Sequence, residues 1–149
     1  MMEKKKGYRN AVFIVTYRRE KSKIFYLLLK RKLHWEGWEF PKGAIEGKEP
    51  VFLTIKRELK EETGQEPAVI KKHNISGSYK YDKRYKDRPG VLGQTFTLYS
   101  AELKNKEVKI SKAEHSAYKW LRYDKAGKLL TWANQKKCLK VVNSTLRPF

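Results

Sequence analysis

The stretch "GKEPVFLTIKRELKEETGQ" constrains this chain more than any other. Pro50 stands at a first-turn position, good helix formers run to Thr63, and Gly64 supplies a stop. The pattern predicts a helix over 50–63. At 100° per residue, Phe52, Ile55 and Leu59 form an apolar stripe. Glu58, Glu61 and Glu62 are related by i, i+3 and i+4, and their shared face borders and partly overlaps that stripe. Carboxylates placed at the margin of a core repel one another, by about a few tenths of a kcal/mol per pair in water and more where water is excluded. A divalent cation reverses the sign, because hard cations take carboxylate oxygens together with substrate phosphates. The other reading is an ordinary charged helix, with Lys56, Arg57 and Lys60 pairing the glutamates.

The rest of the chain is read around this helix. "NAVFIVTYRR" and "KIFYLLLKRK" are apolar, aromatic and β-branched, and the polar "EKSK" between them predicts a hairpin. The start, "MMEKKKGYRNAVFIVTY", reads as a basic run and a first strand; its apolar part is short and no small-residue cleavage site follows. "WEGWEFPKGAIEGKEP" is rich in Gly and Pro and reads as an irregular loop. Strands are predicted over 68–81, 94–103 and 118–121, with a basic loop, "DKRYKDRPGVLG", between the first two. Residues 123–146 read as one or two amphipathic helices. No repeat, linker or boundary interrupts the pattern, so residues 1–149 are expected to form a single domain, a mixed α/β fold.

Charge bears on partners. Thirty-five Lys+Arg against 16 Asp+Glu give a formal charge of +19. That excess favours polyanions such as nucleotides, polyphosphates or RNA, and most of the lysines are expected simply to be solvated. A single cysteine, Cys138, excludes an internal disulfide framework and points to a reducing cytoplasm. The N-x-S/T sites at Asn74 and Asn143 then carry no meaning. No apolar run is long enough to span a bilayer.

The spacing around the helix is more telling than the helix. Gly43 is followed by five residues and Glu49, then by seven residues and "RELKEETG". Gly43, Glu49, Arg57, Glu58, Leu59, Glu61, Glu62 and Gly64 all fit the Nudix box, here over 43–65; only Gln65 departs, where the family has an aliphatic residue. Seven fixed letters at about 7% usage each would match a given frame by chance about once in 10⁸. The chain therefore resembles the Nudix hydrolases. That resemblance implies a mixed sheet sandwiched between helices, with the box as a loop–helix–loop. It implies Mg²⁺ or Mn²⁺ held by Glu58, Glu61 and Glu62, with Arg57 orienting them, Glu49 and Gly64 supporting the site, and Gly43 letting the chain pass close to it. Such chemistry needs no nucleophilic Cys or Ser, and His34, His73, His115 and Cys138 are read as structural.

Two further stretches narrow the resemblance. "WEFPKGAIE" is similar to the entry shared by diadenosine polyphosphate hydrolases, RNA pyrophosphohydrolases and decapping enzymes, which would set Lys42 beside the metals. "EHSAYKWLRYDKAGKLLTWANQKKCLKVV" resembles the end of the asymmetrical diadenosine tetraphosphate hydrolases, which implies that Glu114 is a further catalytic carboxylate, with Glu102 next in line. Tyr81, then Tyr118, are the expected base-stacking residues, and Lys83 an expected polyphosphate contact. The implied activity is hydrolysis of diadenosine tetraphosphate to ATP and AMP. The alternatives are removal of pyrophosphate from RNA 5′ ends and housecleaning of nucleoside triphosphates. The implied partners are a small nucleoside polyphosphate and, through the basic surface, RNA; the state is a monomer or weak homodimer, without a membrane.

Overall fold

A computed structural model of the chain describes residues 6–146. The basic start expected at residues 1–5 lies outside the described residues. Among those described, no helix is long and apolar enough to cross a membrane. The elements run β1 (Tyr8–Glu20), β2 (Lys23–Arg31), β3 (Gly37–Glu39), β4 (Lys42–Ala44), α1 (Val51–Thr63), β5 (Val69–Lys80), β6 (Gly93–Glu102), β7 (His115–Leu121), α2 (Tyr123–Leu129) and α3 (Ala133–Leu146).

The strands form one seven-stranded mixed sheet, ordered β3-β2-β1-β6-β5, with β4 on β1 and β7 on β2. β1 is its spine. It pairs parallel to β6 along its length, from Tyr8 opposite Gly93 to Tyr17 opposite Glu102. The predicted hairpin forms, but β1 and β2 pair only from Tyr17–Tyr26 to Glu20–Lys23. Beyond that they part, and β4 takes the free edge of β1 at Ala11, Val12 and Phe13. Gly- and Pro-rich sequence at 35–50 thus conceals two short strands.

β1 is buried on both faces, as a spine covered by helices must be. The period of two sends Phe13, Val15 and Tyr17 to one side, where Leu28, Phe96 and Leu98 meet Ala126 and Leu130 from the α2 segment and Cys138, Leu139 and Val142 from α3. Val12 and Ile14 face the other way, where Leu27, Leu29, Ala101 and Leu103 meet Ile55 and Leu59 of α1. The sheet is therefore sandwiched between helices, as the Nudix resemblance implied.

α1 differs from its sequence reading in two details. Pro50 is the N-cap residue and the helix starts at Val51, while Gly64 closes it at φ 79°, a conformation glycine adopts without strain. The buried arc is centred on Ile55 and takes Val51, not Phe52, in the first turn. Phe52 is 57% exposed, and the buried side of the helix ends on Glu62 and Thr63. Phe52→Ser should then shift unfolding free energy by less than about 0.5 kcal/mol, whereas Ile55→Ala should cost about 2–5 kcal/mol. Urea denaturation of the two variants checks this, and equal losses would restore Phe52 to the core.

Candidate active site

The turn between β4 and α1 is fixed by one guanidinium. Arg57 Nε and Nη2 donate to the two oxygens of Glu49, each at 2.9 Å, Nη2 also to the Ala44 carbonyl at 3.1 Å, and Nη1 to Glu58 at 2.7 Å. Glu49 further accepts the Thr54 hydroxyl at 2.7 Å. The Arg57 fork, above all, holds the Glu49 carboxyl at about 2, and the hydrogen bonds to Glu49 in turn raise Arg57. Gly43 lies under the Glu58 side chain: a Cβ there would overlap its carboxyl group.

The carboxylates of α1 have three different environments. Glu61 is 58% exposed and sits 3.7 Å from Arg57. Glu58 is largely buried; burial outweighs its bond to Arg57 and pushes it up to about 7, with Glu61 and Glu114 adding to the rise. Glu62 is 2% exposed, and its Oε2 has no hydrogen-bond partner. Burial first, then the carboxylates of Glu39, Glu58 and Glu114, raise it well above the ordinary range. Oxygens of Glu62 and Glu114 and a ring nitrogen of His115 lie within 4.8 Å of one another. An orphaned buried oxygen among hard donors fits a divalent cation, with Glu58 and Glu114 lining the adjoining cleft.

Behind these groups lies a buried polar cluster. Glu39 is wholly buried and lies 3.1 Å from Arg31, 3.3 Å from Lys42 and 2.8 Å from His115 Nε2. Burial alone would raise Glu39, but Lys42, His115 and Arg31 together lower it to about 2. Arg31 also reaches Glu114 at 3.8 Å.

A cavity of about 350 Å³ opens beside the cleft. Tyr79, Tyr81 and Tyr85 come from the end of β5 and the basic loop; Trp35 comes from the loop after β2 and Trp132 from the segment between α2 and α3. Trp35 and Trp132 meet edge to face at 5.1 Å, and Tyr81 and Tyr85 at 5.3 Å. Asp87 is engaged by His34 Nε2 at 2.9 and 3.0 Å, which ties the basic loop to the loop after β2. Arg31, Lys42 and Arg88 line both the cavity and the carboxylate cleft.

Residues 7–141 match the model of the NUDIX domain family. The chain belongs to the Nudix family. It is 31% identical over 123 residues to the asymmetrical bis(5′-nucleosyl)-tetraphosphatase of Mus musculus, covering 81% of this chain and 80% of that protein. It is 28% identical over 131 residues to an RNA pyrophosphohydrolase of Hydrogenovibrio crunogenus, covering 78% and 75%. A crystal structure of a C. elegans Ap4A hydrolase binary complex superposes with a TM-score of 0.74 at 26% identity, over 95% of this chain and 99% of that one.

Not every residue singled out in the sequence comes to the Nudix site. Arg57, Glu58, Glu62, Glu114, Lys42 and Gly43 do, and Tyr81 lines the cavity. Tyr118 lines neither space: opposite Leu29 in the sheet, it packs on the α1 side of the core. Lys83 is exposed, with its ammonium 5.8 Å from the centre of the Tyr85 ring. Glu102 ends β6, at the opposite end from Gln94 of the cleft, and pairs with Lys104 at 3.4 Å. His73 bonds Ser100 at 2.8 Å and Cys138 is buried in the core, whereas His115 belongs to the carboxylate cluster. Glu39, Arg31, Trp35 and Trp132 escaped the sequence reading. Glu39 had one signal, an acid between Trp38 and Phe40 in a two-residue alternation.

Two outcomes follow from this geometry. Gly43→Ala should displace the Glu58 carboxylate and weaken Mn²⁺ binding by at least about tenfold, with the fold intact; wild-type affinity by titration calorimetry would contradict the packing. In metal-free buffer, Glu58 and Glu62 hold protons in the fold that the unfolded chain, near 4.5, releases. Stability from Glu58 is full below that value and is lost as pH rises through about 7, and Glu62, also raised, adds to the loss in the same direction. Melting temperature in EDTA should therefore fall between about pH 5 and about pH 8. Glu62→Gln should flatten the fall, and an equally steep slope in that variant would refute the assignment.

Proposed function

We propose that this Nudix protein hydrolyses dinucleoside polyphosphates, cutting diadenosine tetraphosphate to ATP and AMP with Mg²⁺ or Mn²⁺. The observation that carries the reading is the shared wall: an aromatic cavity sized for a base meets a carboxylate cleft through three cationic side chains. A tetraphosphatase among the relatives supports the substrate class.

Glu58 and Glu62, with Glu61 at the rim, would hold the cation. When bound, it supplies neutralisation of the phosphates and polarisation of the attacked phosphorus. Arg57 keeps Glu58 in place through the bond at 2.7 Å and keeps the turn closed through Glu49. Lys42, charged and braced by Glu39, meets the phosphate oxygens. Glu114 accepts a proton from the attacking water. The water oxygen bonds to phosphorus, the anhydride P–O bond breaks, and the departing polyphosphate leaves with the electron pair. Such a transition state needs placement and charge compensation more than covalent help. The rings of Tyr81 and its neighbours stack the base, worth about 1–3 kcal/mol.

A second reading, removal of pyrophosphate from RNA 5′ ends, is favoured by the RNA pyrophosphohydrolase relative and by the basic loop. The test is a panel of diadenosine tetraphosphate, 5′-triphosphorylated RNA and nucleoside triphosphates with Mg²⁺ or Mn²⁺, products resolved by chromatography. The dinucleotide should give the highest kcat/KM, and Glu114→Gln should lower kcat by at least about a hundredfold with KM little changed. RNA as the better substrate at every salt concentration would replace the first reading by the second.

A further inference from the structure

Three cations stand between the aromatic cavity and the carboxylate cleft, and their charges are not equally compensated. Arg31 is paired with Glu39 and Glu114, and Lys42 with Glu39. Arg88 has no carboxylate within ion-pair distance among the described residues; its chain neighbour Asp87 is taken by His34. Arg88 is nonetheless held firmly. Nη1 donates to the Tyr81 hydroxyl at 3.0 Å, which in turn donates to Gln94 at 3.0 Å. Its guanidinium lies 5.7 and 5.8 Å from the centres of the Tyr81 and Tyr85 rings. Arg9, also without an ion pair among the described residues, lines the cleft with it. Burial first, then the charge of Arg9, lower Arg88 from its ordinary value, and both cations line the same cleft, neither of them in an ion pair among the described residues. A planar fork, immobilised and without an ion-pair partner among the described residues, at the passage between two spaces is suited to receive a phosphate.

We propose that Arg88, assisted by Arg9, binds the phosphate that links the base-holding cavity to the carboxylate cleft, and so fixes which anhydride bond is presented for hydrolysis. The inference rests on the dinucleotide reading above for its second half only. A base seated among Tyr79, Tyr81 and Tyr85 reaches the carboxylates through its phosphate chain, and Arg88 lines both ends of that path. With the linking phosphate gripped, the chain has one register. With the grip lost, it slides by one unit, and water attacks the neighbouring phosphorus. A tetraphosphate then breaks at its central anhydride, giving two nucleoside diphosphates in place of a triphosphate and a monophosphate.

The experiment has two arms, using wild type, Arg88→Met and Arg88→Lys of the full chain. The first measures equilibrium binding in EDTA, where no turnover occurs, by quenching of tryptophan fluorescence with adenosine, ADP and ATP. Wild-type affinity should climb with phosphate number. Arg88→Met should lose about ten- to a hundredfold for ATP, the worth of charge-assisted hydrogen bonds, and less than about twofold for adenosine. Arg88→Lys should recover part of the loss. An equal loss for adenosine and ATP would make Arg88 a prop for the tyrosine rings and overturn the proposal, as would no loss. The second arm measures the products of diadenosine tetraphosphate in ¹⁸O-water. ADP should rise at the expense of ATP and AMP in Arg88→Met, and an unchanged split would overturn the role in register. If wild type turns over no dinucleotide, the proposed substrate fails, and the binding arm still decides whether Arg88 receives phosphate.

Discussion

The bidentate bond between Arg57 and Glu49 is the constraint on which the site depends. It spans the turn from β4 to α1, and the same guanidinium holds the Ala44 carbonyl and Glu58. One side chain thereby sets the distance between a strand, a helix and a carboxylate. The fork is suited to this because its planar donors are fixed relative to one another. Ala44 is itself anchored, since it pairs with Ala11 of the central strand. The position of Glu58 is therefore referred to the core rather than to a loose loop.

Burial of charge is the second theme. Glu62 takes a place on α1 that an apolar residue would fill in an ordinary amphipathic helix, and Glu39 is wholly buried on the sheet. The two solve the cost of desolvation in opposite ways. Glu39 keeps its charge because Lys42, Arg31 and His115 surround it. Glu62 is faced chiefly by the carboxylates of Glu39, Glu58 and Glu114, with Arg31 opposing them only weakly, so burial and like charge hold it well above the ordinary carboxylate range. The cationic cluster also keeps Lys42 and Arg31 extended toward the cleft, because each is tied to Glu39 at its tip.

How much of this was legible depended on whether a signal was local. The helix, its glycine stop and the shared face of Glu58, Glu61 and Glu62 follow from spacing alone, because a helix has one period. The hairpin of β1 and β2 was legible for the same reason, but the extent of its pairing was not, since β4 competes for the same edge from a segment that reads as a loop. Phe52 misled because angular position on a wheel says nothing about how far the sheet extends beneath the first turn. Tyr118 misled because strand alternation gives two faces without saying which one holds ligand. Trp35 and Trp132 are far apart in sequence and meet only through the fold. No local pattern announces such a pair.

The parallel pairing of β1 with β6 has a consequence for how a chain of this kind can change. Parallel neighbours begin at the same edge of a sheet, so the loop that enters β6 must overhang the end where β1 starts, beside Arg9 and the cleft. That loop carries Tyr85 and Arg88 and is joined to the rest through the His34–Asp87 clasp, the Gly7–Leu92 backbone bond and the Arg88–Tyr81–Gln94 chain. The carboxylates, by contrast, hang from a helix pinned to the spine. Residues inserted or removed between Asp82 and Leu92 would reshape the aromatic cavity and shift Arg88 on the cleft wall while leaving the carboxylates of α1 in place. The aromatic lining and the buried carboxylates are thus carried on separate segments, and the first can drift without rewriting the second.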